Sequence, residues 1–500
     1  RLMCSPTDST SDIAASGASV TRNTAARRSD LRREYAYFLA IALAMVLTRG
    51  AFVWCEPLHF DSDQAVVGLM TLDLVQGKGF PVYFYGQDYL ATLEPYLAAP
   101  VFAVCGPSRW ALKLSLLVLG VVIAWMMYVA FRRDCRISPA PAALLVTPFV
   151  IPTVVMASRL VEANGANLDV FLFVMLLWYL RRHPLAAGLV AGLAVQNRMF
   201  GVYAVCSLLL VVLVTRRWSW WDYPIFAMAS AATYVGISFL GQYSPNRLSG
   251  GLPVQISDAE DLIRLTRALT SSLLPLLYGL IPAALGEFRI RCDIVANAGL
   301  LGLVPGAAML FLAAAALSRP GYRLARHWAF PCYLMGVGAL SLVAFVFMQG
   351  NLTSVDPMRI RYILLSVLFL IGAAGLLWQT RRRRCVAAFL VLSAVVNVGQ
   401  HSVLWARVLR DAPADEYADL AAAIRGMDLE AAIADYWTAY HVAFLLEGEV
   451  PVTYPAQTPR IGAYHDAYRV APAHRRAMIR DVGECDGGPR VHGWVVCPAP

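Results

Sequence analysis

Apolar residues gather along most of the chain in runs of about 18–22, the length a helix needs to cross the hydrocarbon core of a bilayer. Candidate spans cover 35–54, 109–131, 138–157, 166–180, 184–197, 199–215, 223–241, 294–317, 328–348, 361–380 and 385–404, eleven in all. Ahead of them, residues 1–34 are polar, rich in Ser, Thr and Ala, and end in Arg27, Arg28, Arg32 and Arg33. No apolar run precedes a small-residue cleavage site there, so the segment is expected as a disordered tail and not a signal peptide.

Arginine clusters orient the spans. Arg132–Arg133, Arg181–Arg182, Arg216–Arg217, Arg319–Arg326 and Arg381–Arg384 join the N-terminal cluster on one side only if 184–215 is a hairpin of two short helices. The positive-inside rule then puts the N-terminus in the cytoplasm and the C-terminus outside the inner (cytoplasmic) membrane. Three pieces face outward: loop 55–108, loop 242–293, and a segment 405–500 of ordinary soluble composition, expected as a small domain. The predicted fold class is an all-α polytopic integral membrane protein, with residues 35–404 as its membrane domain. A first loop of about fifty residues far exceeds the usual short connection, and such loops are usually functional.

Composition agrees. Of 500 residues, 58% are hydrophobic and 15% charged, against about 45–50% and about 25% in soluble proteins. A soluble enzyme, a disordered scaffold and a compact secreted domain are excluded. Forty-two Lys and Arg against 33 Asp and Glu leave +9. The arginines sit between apolar runs as topology signals, so nucleic acid is not the expected partner. Ten cysteines show neither CxxC nor metal-ligand spacing. Cys485 and Cys497 fall on the outer side, where a disulfide is permitted. His441 and His465 read as isolated surface residues without metal-ligand spacing.

The chemistry is sought in the first outer loop. From Asp63 onward, Val66, Val67, Met70, Leu74 and Val75 recur at helical spacing, with Gln64, Thr71 and Asp73 elsewhere on the wheel. Gly77-Lys78-Gly79 stops the pattern. This predicts an amphipathic helix lying on the membrane surface, and Leu93–Val104 is expected to form a second. Asp61 and Asp63 open the first helix. Aspartate is a favoured N-cap, but a cap accounts for one of the pair. The other can serve as a general base at the interface.

Asp63-Gln64, the helix after it, Gly77, Tyr89 and Leu93-Glu94-Pro95-Tyr96-Leu97 together resemble the first loop of glycosyltransferase family 39. That family includes polyprenyl-phosphate-dependent protein mannosyltransferases and is similar to the bacterial aminoarabinose transferase of lipid A. The resemblance implies the multi-span GT-C fold, a polyprenyl-phosphate sugar donor and inversion at the anomeric carbon. It also implies a catalytic aspartate, which spacing to Gly77 matches to Asp63, with Asp61 as the second match. The chain departs in having Gln64 where the family has Glu, and Leu93-Glu94-Pro95 where many members have Lys-Pro-Pro. Arg361-Tyr362 is similar to an Arg-Tyr pair that opens a late span in these enzymes, and Asp435-Tyr436-Trp437 to the outer tail of some bacterial members.

Other residues carry two readings. Arg198, between Gln196-Asn197 and the next short helix, is a functional suspect at membrane depth or a snorkelling arginine at a turn. Arg361 is a phosphate ligand or an interfacial anchor. Glu162 and Asp169 flank Asn164-Gly165 as a polar turn or as part of the cleft. Tyr83, Phe84, Tyr85, Tyr89 and Tyr96 line an acceptor cleft or form an aromatic belt.

The expected activity is transfer of a sugar from a polyprenyl-phosphate donor to a glycan, lipid or protein acceptor on the outer face. Asp63 or Asp61 is the base, Arg361 and Arg198 the phosphate cations, and Glu94, Tyr89, Tyr362 and Asp169 the other substrate-binding candidates. Membrane lipid is a partner, no cofactor is called for, and a divalent metal is left open. Two alternatives stand beside it. A flippase or transporter of lipid-linked oligosaccharide would place its polar residues mid-span, often with internal repeats. A non-catalytic subunit of the same fold would fit Gln64 and Glu94.

Overall fold

The computed structural model describes residues 10–165, 167–247, 256–277, 326–348, 357–455, 459–483 and 488–498. The first apolar run belongs to one helix, Thr10–Trp54. Residues 10–34 are therefore helical and not the irregular tail expected, as their many good helix formers, Ala and Arg, allow. Among the described residues five helices are long and apolar enough to cross a membrane: Leu31–Trp54, Arg109–Arg133, Asp222–Tyr243, Ala329–Met348 and Arg383–Arg410. Asp169–Leu180, Pro184–Asn197, Gly201–Val214 and Leu364–Trp378 are shorter apolar helices on four more of the predicted runs. The run 294–317 lies outside the described residues.

Run 138–157 is a correction. It breaks into Pro139–Leu145, Thr147–Val150 and Val154–Leu160, because Pro148 and Pro152 withdraw N–H donors and clash with the preceding turn. Four of the carbonyls at the break are answered by side chains. Arg49 donates to Phe149 and Val150 (2.6 and 3.1 Å), Thr48 to Val150, Asn397 to Ile151, and His401 Nε2 lies 2.9 Å from the Pro152 oxygen. Away from water such groups must be satisfied from within the protein.

The expected hairpin forms, with Pro184–Asn197 turning at Arg198 into Gly201–Val214. Its first helix lies against Asp222–Leu240 at backbone contact. A Cβ on Gly188 or Gly192 would stand 2.5 Å from the Phe226 or Ser230 carbonyl oxygen, the close approach that small residues permit.

In the first loop, helix Ser62–Val75 ends as its sequence dictates. Gly77, at φ 68°, donates to Leu74 O (3.2 Å) and Lys78 donates to Asp73 O (2.8 Å), a Schellman cap. The helix does not lie on the membrane surface. Ser62 and Gln64 through Leu72 are buried, because the C-terminal segment covers the face left to solvent or lipid in the sequence reading. The Phe444 ring seats on Gly68, where a Cβ would stand 2.5 Å from its Cε2. Helix Glu94–Cys105 closes the other side through buried Ala98 and Phe102, while Val104 is 85% exposed.

Beyond the long helix Arg383–Arg410, the tail is a small α/β unit, so the all-α description holds for the membrane part only. Helices Glu416–Arg425, Tyr436–Leu445 and Gly462–Val470 flank a sheet of order β2-β1-β3-β5-β4. The strands are β1 (Ala431–Ile433), β2 (Val452–Thr453), β3 (Arg476–Asp481), β4 (Arg490–Val491) and β5 (Trp494–Pro498). β1 runs parallel to β2 and β3, and β5 antiparallel to β3 and β4.

Candidate functional site

The approach to the loop helix is held by a buried lysine. Lys113 Nζ donates to the carbonyls of Phe52, Leu58 and His59, each at 3.0 Å. His59 itself sits at φ 59°, a left-handed conformation uncommon outside glycine. Two residues on, Asp61 is the N-cap: extended at φ −137°, its Oδ1 accepts from the Gln64 N–H at 3.0 Å. Capping is thereby assigned to Asp61, leaving Asp63 free of it.

Asp63 instead meets the C-terminal unit. Its Oδ1 accepts from the Tyr436 hydroxyl at 2.5 Å and lies 3.5 Å from Arg460 Nη2, with the two charged side chains 18% and 20% exposed. Its Oδ2 has no hydrogen-bond partner among the described residues. Arg460 is locked in turn, through Nε to the Tyr436 hydroxyl (2.7 Å) and Nη1 to the Tyr85 carbonyl (3.2 Å). Gly86, at φ 78°, makes room for it, since a Cβ there would stand 2.8 Å from Arg460 Cγ.

A second layer lies beneath. Glu162 Oε2 accepts from Arg159 (2.8 Å) and Asn167 (3.2 Å), and Arg198 Nη1 donates to Asn167 Oδ1 (3.3 Å). Burial alone would raise the Glu162 pKa, but Arg159, His59 and Arg361 outweigh it and hold this carboxyl below the usual range. Burial, with the Arg159 charge, drops His59 to about 4. At neutral pH its 3.8 Å approach to Glu162 is therefore not an ion pair. Asp61 goes the other way. Burial, then the charges of Glu162 and Asp63, push its pKa up to about 7.

Five of the sequence candidates come together. The Arg361 guanidinium interacts electrostatically with Asp63 and Glu162. Tyr89 does so with Arg198, Tyr362 and Arg460. Arg198 stacks over Phe200, whose ring meets Tyr362 edge-on at 6.1 Å. Asp63, Arg361, Arg198, Tyr89 and Tyr362 thus surround one region that holds a carboxylate and several guanidinium groups.

Glu94 and Asp169 also interact electrostatically with Arg198, but they are fully buried and hydrogen-bonded to the backbone. Glu94 Oε2 accepts from the Gly165 N–H (2.7 Å), while Asp169 Oδ2 accepts from Leu93 N–H (3.3 Å) and Asn197 Nδ2 (3.2 Å). They tie the first loop to the turn before helix Asp169–Leu180 and to the hairpin turn. Tyr83, Phe84 and Tyr85 are at most 2% exposed and form no interfacial belt. His441 is likewise not a surface residue. It is buried, with its ring stacked on Tyr417 at 4.0 Å and against Phe60. Cys497 is disulfide-bonded, and Cys485 lies outside the described residues. Among the described residues no three His, Cys, Asp or Glu side chains gather as a metal site.

Arg460, Lys113, His59 and Arg159 escaped the sequence reading. Arg460, Lys113 and His59 are single polar residues whose partners lie far along the chain, Arg159 pairs with Glu162 three residues on, and only Asp435-Tyr436-Trp437 hinted that the tail reaches the site.

The arrangement defines a class of site: a polar, cation-rich cluster where the C-terminal α/β unit meets a bundle of apolar helices. Among solved structures the chain is similar to ArnT from Cupriavidus metallidurans in the apo state, at 13% identity and a TM-score of 0.46. It is also similar to ArnT from that organism bound to undecaprenyl phosphate, at 13% identity and a TM-score of 0.41. Both alignments cover 93% of this chain and 97% of the other. No protein-family model and no curated protein matches the sequence.

Proposed function

We propose that the chain is a membrane glycosyltransferase that moves a sugar from a polyprenyl-phosphate carrier to an acceptor at the outer face of the cytoplasmic membrane. The observation that carries this reading is the Asp63 carboxylate, relieved of capping by Asp61 and set beside Arg361 with Oδ2 open. The resemblance of the first loop to glycosyltransferase family 39 supports the same assignment. A lipid-linked donor approaches from the bilayer and a polar acceptor from water, so the base belongs at the interface.

In this mechanism Asp63 Oδ2 takes the acceptor hydroxyl proton as that oxygen bonds to the anomeric carbon. The bond from the anomeric carbon to the phosphate oxygen breaks, its electron pair leaves with polyprenyl phosphate, and the carbon inverts. Arg361 and Arg198 stabilise the charge growing on the phosphate, an effect strongest in a site shielded from water. Tyr436 and Arg460 hold Asp63 in place. Asp61 organises the helix N-terminus, and Glu94 and Asp169 fix the loop backbone. The disulfide at Cys497 supports an oxidising, outer location for the tail.

The test is mass spectrometry of cell-envelope glycans in a strain lacking the chain. Loss of one sugar substituent, restored by the wild-type chain and not by Asp63→Asn, is expected. An unchanged glycan profile would overturn the reading.

A further inference from the structure

A second concentration of positive charge lies apart from Asp63 and its partners. A cleft of about 790 Å³ lies there, between the loop after helix Arg109–Arg133 and the start of helix Arg383–Arg410. Arg136, Arg381, Arg383 and Arg384 line it, with Ser138 and Thr380 among them. None of these four arginines has an ion-pair partner among the described residues. The nearby carboxylate is spoken for: Asp134 Oδ2 lies 2.9 Å from Arg181 Nη2 and accepts from Trp178 Nε1 at 2.7 Å.

Orientation of membrane helices needs only a count of positive charges, not a concave site. This cluster also sits at an electrostatically wrong place. Arg383 and Arg384 occupy the first turn of a 28-residue helix, which has no acidic residue in that turn and no side-chain cap at Arg382. A helix N-terminus carries partial positive charge and free N–H groups, which favour anions and repel cations. Arg136 reaches the cleft from a left-handed backbone, φ 54°, a conformation that costs a non-glycine residue free energy. Two segments some 245 residues apart in sequence thus converge their charges on one cleft with no anion among the described residues to meet them. An anion from outside would relieve both the arginine repulsion and the helix-dipole conflict.

We infer that this cleft binds a phosphate-bearing anion, presented as the headgroup of an anionic phospholipid in the leaflet on that side. The location favours the lipid source, because the cleft lies at the ends of two candidate spans, the level at which headgroups sit. The inference is independent of the transferase reading.

The full chain, purified into nanodiscs, tests it with three surroundings: phosphatidylcholine alone, phosphatidylcholine with phosphatidylglycerol, and phosphatidylcholine with inorganic phosphate in the buffer. Phosphatidylglycerol is expected to raise the thermal midpoint and to be retained in native mass spectra. Arg136→Gln and Arg384→Gln should each weaken its retention about fivefold, the effect of roughly 1 kcal/mol per basic residue at an anionic surface. Arg182→Gln and Arg216→Gln, equal charge changes outside the cleft, should leave it unchanged. Equal losses in both sets would reduce the effect to surface charge and overturn the site. Stabilisation by inorganic phosphate as strong as by phosphatidylglycerol would overturn the lipid assignment, and no response to either would overturn both.

Discussion

Asp63→Asn separates folding from chemistry because of where the cap lies. The N-cap bond belongs to Asp61, so asparagine at 63 leaves it untouched. Its amide oxygen can still accept from Tyr436, which keeps the 2.5 Å contact. What the substitution removes is the charge facing Arg460 at 3.5 Å, between two partly exposed side chains. Such a pair contributes about 0.2–1 kcal/mol. The fold should therefore lose no more than about 1 kcal/mol. The chemistry loses the proton acceptor, which costs about 10²–10⁴ in rate, or roughly 2.7–5.5 kcal/mol of barrier. The assay is sugar transfer from a polyprenyl-phosphate donor in membranes, normalised to protein level, with thermal unfolding in parallel. Asp61→Asn is the control: asparagine caps about as well as aspartate, so transfer should stay near wild type. Wild-type transfer by Asp63→Asn would refute the reasoning. Loss confined to Asp61→Asn would move the base to Asp61, whose pKa near 7 would suit that role.

Three further outcomes follow from the geometry. Arg361→Ala should cut transfer by about 10²–10³, the usual effect of deleting one donor to a developing oxyanion. Arg361→Lys should recover only part of it, since an ammonium offers no bidentate fork; unchanged transfer in the alanine variant would remove Arg361 from the site. Gly68→Ala should destabilise by about 1–3 kcal/mol through overpacking, because its methyl would stand 2.5 Å from the Phe444 ring. Phe444→Leu in the same chain should restore part of the melting temperature, and an unshifted Gly68→Ala would contradict the contact. Asp61 sets a pH dependence. Its pKa is raised by burial from 3.8 to about 7 on folding, so its contribution is fully present below 3.8 and lost as pH climbs through 7. The wild type should therefore lose thermal stability relative to Asp61→Asn across that window. A difference independent of pH would argue against a raised pKa at Asp61.

Hydropathy and glycine punctuation made most of the bundle legible. The runs at 35–54, 109–131, 223–241, 328–348 and 385–404 all became long helices, and Gly77 ended the loop helix where its left-handed backbone is needed. Proline overrode hydropathy at 138–157, where a run apolar enough to span became three short pieces. The loop helix was misplaced for a different reason. Its polar positions Gln64 and Thr71 suggested a wet face, but Gln64 Nε2 donates to the His59 carbonyl, its Oε1 having no partner among the described residues, and Thr71 donates to its own helix, so both sit inside the protein. Nothing within residues 55–108 could announce that Phe444, more than 370 residues away, would cover that face. The site shows the same limit. Asp63 stood out as the second aspartate opening the loop helix, Arg361 through the Arg361-Tyr362 pair and Arg198 because charge at membrane depth is costly, whereas Arg460 lies in an ordinary soluble segment where an arginine draws no notice.

The central claim is bond cleavage at the donor, and purified protein in liposomes tests it most directly. A polyprenyl-phosphate sugar labelled in the sugar is supplied with an acceptor, and both free polyprenyl phosphate and labelled acceptor are counted. The account predicts equal amounts of the two, with inverted configuration in the product, and neither above background with Asp63→Asn. Movement of intact donor between leaflets, with no polyprenyl phosphate released, would contradict the account and make the chain a transporter.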